Sequence, residues 1–96
     1  MNAQDFGTIR KQVYGRLIRR HRLINKSFDK KNKWTIEYLA SKAQVDSGHV
    51  GKIENGKYLP GYETSGRLVE ALGVDHNEFW EEYKREVRKY LSEDYI

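Results

Sequence analysis

Residues 34–60 read WTIEYLASKAQVDSGHVGKIENGKYLP, and the punctuation of this stretch decides the fold. Thr35 is placed to cap a short helix, TIEYLASKA, whose Ile36, Leu39, Ala40 and Ala43 fall on one face. Gln44 and Val45 leave room only for a tight connection. Asp46 can cap a second short helix, SGHVGKIE, with Val50 and Ile53 turned inward. Asn55-Gly56 then supplies a left-handed stop. Two short helices joined by about four residues, Ala43 to Asp46, are the sequence form of a helix-turn-helix.

Working outward, residues 5–24 carry Phe6, Ile9, Val13, Leu17 and Ile24 at helical spacing, with Arg10, Lys11, Arg16, Arg19 and Arg20 between them. Asn2 or Asp5 can cap this helix, and Gly7 and Gly15 only weaken it. Residues 25–33, NKSFDKKNK, are polar and aperiodic. They read as an inserted basic loop, with Phe28 as an anchor to the body. Beyond the central stretch, Lys57–Gly61 is a loop holding the only proline. A helix from Tyr62 to Leu72 follows and stops at Gly73. Asp75 and Glu78 form a capping box for a last helix, and Val74 can staple onto Phe79. That helix carries Phe79, Trp80, Tyr83, Val87, Tyr90 and Leu91 on one stripe. No strand pattern and no repeat occurs, so the expected class is all-α with five helices.

Composition narrows the function. With 96 residues there is room for one domain and one modest core. Without cysteine there is no disulfide framework and no thiolate metal site, and a reducing cytoplasm is the expected compartment. No apolar run reaches the roughly 18–20 residues that span a bilayer, so no membrane partner is expected. The net charge of +4 is unevenly spread, with residues 1–33 at +8, 34–74 at −1 and 75–96 at −3. A basic first third suits a polyanion-facing side, although a solvated basic helix has the same composition. Three histidines without clustered carboxylates make no metal site. There is no Gly-rich phosphate loop, no zinc-hydrolase pattern and no placeable triad, so neither an enzyme nor a cofactor is expected.

The run TIEYLASKAQVDSGHVGKIENGKYLPGYETSGRLVEALGV resembles the DNA-binding domain of Cro/lambda-repressor-like (XRE-type) regulators. The matching marks are Thr35, Leu39-Ala40, Val45, Val50, Ile53-Glu54-Asn55-Gly56-Lys57, Pro60, Glu63-Thr64 and Ala71-Leu72-Gly73-Val74. Tyr14-Gly15 through Arg22 resembles that family's first helix. With residues 25–33 as an insertion, the resemblance covers about residues 14–80. It implies a lambda-repressor-like five-helix domain over residues 1–80, with the helix-turn-helix formed by the second and third helices. Residues 75–96 would form a C-terminal amphipathic helix.

On the second short helix the outward positions are Ser47, Gly48, Gly51 and Lys52. The resemblance implies that Ser47, Gly48 and Lys52 read base edges, Lys52 by donating to guanine O6 and N7. The two glycines either let the backbone approach DNA or pack closely against the first helix. His49 either touches a base rim or phosphate or has no role. Lys33, Thr35, Asn55, Lys57 and Tyr58 are the phosphate candidates, with Lys30 and Lys31 of the inserted loop as further contacts. Many members carry a glutamine where this chain has Ile36, so one family contact is missing. His21 falls where the family has an apolar residue. Glu54, beside Ile53, should be partly buried, and the resemblance pairs it with Arg22.

The leading expectation is a sequence-specific double-stranded DNA binder, a transcriptional repressor of bacterial or phage type. It would act as a homodimer on an inverted-repeat operator. Tyr83, Val87, Tyr90 and Leu91 are the dimer candidates, since a small body has little surface to cover the whole stripe. The alternative is an antitoxin or protein-interaction module, with a protein partner on the same C-terminal helix.

Overall fold

The computed structural model describes residues 5–94, with side chains as far as Leu91. It contains α1 (Phe6–Phe28), α2 (Ile36–Ala43), α3 (Ser47–Glu54), α4 (Tyr62–Leu72) and α5 (His76–Asp94), and no strand among the described residues. Local side-chain chemistry sets most of the boundaries. The Asp5 carboxylate accepts from the Thr8 backbone N–H at 2.7 Å and opens α1; those bonds to Thr8 hold its carboxyl below the usual range. Asn2 lies outside the described residues, as do the last two residues of the expected C-terminal element. Thr35 accepts from Tyr38 N at 3.0 Å, Asp46 from His49 N at 3.1 Å and Asp75 from Glu78 N at 3.0 Å. Gly73, at φ 75°, ends α4 in the left-handed region. The turn between α2 and α3 places Gln44 in that region too, at φ 58°.

Helix α1 runs four residues past the expected end at Ile24, so half of the expected loop is helical. The polar side chains there find partners that a helix can reach. Asn25 Nδ2 donates to the Leu72 carbonyl at 2.9 Å, and Ser27 Oγ donates back to the Ile24 carbonyl at 2.6 Å. Only Asp29 ends the helix. Phe28 does not anchor the chain to the body; it is 85% exposed.

The core is shared by all five helices. Ile9, Val13, Tyr14, Leu17 and Ile18 of α1 meet Leu39 of α2, Val50 and Ile53 of α3, Leu68 and Val69 of α4, and Phe79 of α5. Tyr14 lies at the centre. Its ring stands edge-on to Phe79, and its hydroxyl donates to Ser65 Oγ at 2.6 Å. Burial pushes its phenol up to about 12. On α5, Phe79 is fully buried and Trp80 half-buried, both rings packing against Tyr14.

The aromatic stripe of α5 faces this core, so Tyr83 and Val87, expected at a second-subunit contact, are covered within their own domain. Tyr83 and Val87 are buried, and Tyr90 and Leu91 are half-buried against the same cluster. The 23 residues of α1 form a helix about 34 Å long, long enough to run beside α5. Arg10 Nε donates to the Tyr83 hydroxyl at 3.1 Å, and the Arg16 guanidinium sits 5.2 Å from the Tyr90 ring centroid. His21 fills its normally apolar position by placing Nε2 2.8 Å from a Glu82 carboxylate oxygen.

Candidate nucleic-acid interface

Helix α3 has a back and a front. On the back, Val50 and Ile53 are wholly buried. Gly15 of α1 lies so close that a Cβ there would overlap the Ile53 carbonyl oxygen. The absence of a side chain, not backbone freedom, is what this position requires. Glu54 is buried beside it and takes both arms of one guanidinium. Arg22 Nε donates to one carboxylate oxygen at 2.7 Å and Nη2 to the other at 2.9 Å. The third nitrogen, Nη1, donates to the Trp34 carbonyl at 2.9 Å. Arg22 therefore ties the C-terminal end of α3 to the residue just before the Thr35 cap of α2. The planar fork suits this arrangement, since two arms fit the carboxylate and one remains.

The front of α3 presents little besides backbone. Ser47, Gly48 and Lys52 are exposed. Nothing lies within 4 Å of where a Gly51 Cβ would sit, so this glycine does not pack against the first helix. At Gly48 the nearest atom is an Asp46 carboxylate oxygen, 3.0 Å from an added Cβ, so its surroundings are its own helix cap. His49 is half-buried and tilted against Tyr58, with ring centroids 4.5 Å apart. This contact links two residues that the sequence placed in separate roles.

The phosphate candidates frame that front. Lys33 and Thr35 are exposed at the start of α2, and Asn55, Lys57 and Tyr58 are exposed just past α3. Arg22 joins the two ends through Glu54 and the Trp34 carbonyl. Lys30 and Lys31 stand on a closed turn. The Asp29 carboxylate accepts from Lys31 N at 3.1 Å and Lys33 N at 2.9 Å, and Asn32 N donates to the Asp29 carbonyl at 2.9 Å. The N–H groups of Lys33 and Lys31 hold the Asp29 carboxyl below its usual range. Among the described residues, no group of three or more histidine or carboxylate side chains is placed to hold a metal. No described helix is long and apolar enough to cross a membrane.

A short helix locked from behind and bare in front, opened by a capped turn and with exposed Lys33 and Lys57 towards its C-terminal end, defines a helix-turn-helix DNA-binding domain. The family model for helix-turn-helix domains of the XRE type, the lambda-repressor and Cro kind, matches residues 30–79, and the chain belongs to that family. The matched segment holds α2, α3, α4 and the opening of α5, while α1 precedes it. No curated protein and no solved structure gives a significant match. The family makes this chain a DNA-binding regulator of the XRE type.

Proposed function

We propose that the protein is a sequence-specific reader of double-stranded DNA that represses transcription by occupying an inverted-repeat operator as a pair of subunits. The observation that carries this reading is the two-sidedness of α3. Its back is fixed by Arg22, Glu54 and Gly15, while its front offers Ser47, Gly48, Gly51 and Lys52 to a groove. In this reading Lys52 donates to guanine edges, and Ser47 hydrogen-bonds a base without discriminating strongly. The bare glycines let the helix backbone lie close to the base pairs. His49, braced by Tyr58, meets the groove wall. Lys33, Thr35, Asn55, Lys57 and Tyr58 take phosphates on either side and set the register. Lys30 and Lys31 add charge beside the α2 end. Repression by occupancy asks nothing of the protein beyond affinity at a site that overlaps a promoter.

The deciding experiment is selection from a random duplex pool at about 0.1 M salt, where exposed charges are screened over roughly 10 Å. The expected product is an inverted repeat with half-sites about 34 Å apart. Enrichment of a single half-site would remove the pairing. No enrichment at all would remove sequence-specific reading.

A further inference from the structure

A cleft of about 300 Å³ separates α1 from the C-terminal end of α3, lined by Gln12, Arg16, Arg19, Glu54, Asn55 and Gly56. It exists because the turn after α3 is seated on α1. Gly56 has φ +75°, and a Cβ there would come 3.2 Å from Gln12 Cγ and 3.3 Å from Gln12 Cα. The middle of α1 is thereby brought to the edge of the exposed face of α3, where Asn55 presents its side chain.

The arginines of this part of α1 are spoken for, with one exception. Arg22 holds Glu54, Arg20 pairs with Glu82 at 3.2 Å, and Arg16 rests against the Tyr90 ring. Arg19 is exposed and makes no hydrogen bond or ion pair among the described residues. The one carboxylate in the cleft does not compete for it, because both Glu54 oxygens are occupied by Arg22. Nor does the backbone offer donors. The N–H groups of Asn55, Gly56 and Lys57 are bonded to the carbonyls of Gly51, Ile53 and Lys52. An anion entering the cleft is held by side chains alone: the exposed Arg19 fork, the Asn55 amide, and Arg16 if it leaves its ring.

We infer that this cleft is a phosphate site, through which α1 grips one phosphodiester of the duplex that α3 enters. The assignment rests on the DNA-reading proposal and adds to it a contact from a helix that precedes the matched segment. Arginine suits the task because its planar fork meets two phosphate oxygens at once.

The test is a series of duplex titrations by fluorescence anisotropy across salt concentrations, using the selected duplex and a scrambled one. Wild type is compared with Arg19→Gln, Arg19→Lys and, as a control for overall charge, Arg85→Gln on α5. Circular dichroism checks that each variant folds. Arg19→Gln is expected to lower the slope of log affinity against log salt by about 0.9, the value of one phosphate contact on B-form DNA. Between 50 and 200 mM salt that makes its loss of affinity about 3–4-fold smaller than that of wild type. Both duplexes should weaken alike, Arg19→Lys should keep the slope, and Arg85→Gln should leave it unchanged. An unaltered slope in Arg19→Gln overturns the inference alone, as does an equal change in Arg85→Gln. A wild type that binds neither duplex overturns the DNA reading and this site together.

Discussion

The two faces of α3 are built on opposite rules. On the back both Glu54 carboxylate oxygens are taken by Arg22 and Gly15 leaves no space, so the helix is held in place. On the front two glycines, a serine and a lysine leave most of the backbone uncovered. A glycine serves both faces for different reasons. Gly15 is needed because a neighbour is too near, whereas Gly51 stands in open space. One eight-residue helix thus has a face fixed by its packing and a face that the packing leaves free. A change on the back should appear first as unfolding, and a change on the front only in what is bound.

Glu54→Ala should have the largest effect. It strands the Arg22 guanidinium, whose side chain is only 10% exposed. The loss should be about 3–5 kcal/mol of unfolding free energy, read as a lower urea midpoint at unchanged slope. Replacing both partners, Arg22→Met with Glu54→Leu, should recover much of it. A double variant as unstable as the single one would show that the stranded charge is not the cause. Gly15→Ala comes next, at about 2–3 kcal/mol, because the atom it meets is backbone and cannot swing aside. DNA affinity should fall with it as α3 is displaced. Wild-type stability in this variant would break the distinction between the faces.

Tyr14 gives the interior a pH signature. Burial raises its phenol from 10 to about 12, so the native state holds the proton more tightly than the unfolded chain. Its contribution is intact below pH 10 and is lost as pH rises from 10 towards 12. Tyr14→Phe should show a shallower loss of stability over that window in chemical denaturation. On the front, Lys52→Ala should leave stability within about 0.5 kcal/mol. It should cost about 1–3 kcal/mol in binding the selected duplex and relax preference at one base pair. An unchanged selected sequence would refute base reading by Lys52. Gly51→Ala is the smallest change and the sharpest contrast with Gly15→Ala. It should raise stability by about 0.5–1 kcal/mol, since the space is open and alanine favours the helix. If the backbone lies against DNA there, affinity should fall in the same protein. Equal affinity would mean that DNA does not approach residue 51.

What was legible in the sequence was local. Thr35, Asp46, Gly73 and Asp75 mark helix ends by chemistry confined to three or four residues, and the structure has ends there. The pairing of Arg22 with Glu54 came from family resemblance rather than from spacing. The misreadings were all non-local. NKSF looked like loop because its polar residues had no visible partner, yet one partner of Asn25 is a carbonyl 47 positions away. The covering of the α5 stripe depends on α1 residues far off in sequence, such as Arg10 against Tyr83, 73 positions away. Gly15 looked like a minor weakness in a helix because the Ile53 carbonyl lies across the fold. Arg19 was one arginine among several until the structure showed which of the others were engaged.

The closed turn at Asp29 bears on the cost of binding. A basic arm that is unstructured in the free protein must give up conformational freedom when it meets its target, and part of the gross attraction is consumed in ordering it. Lys30 and Lys31 instead stand on a turn already fastened by one carboxylate and its own backbone. Whatever anion they meet, only their side chains remain to be ordered. Contact through this turn should therefore add little to the heat-capacity change of association, and the calorimetric signature of coupled folding should be absent from it.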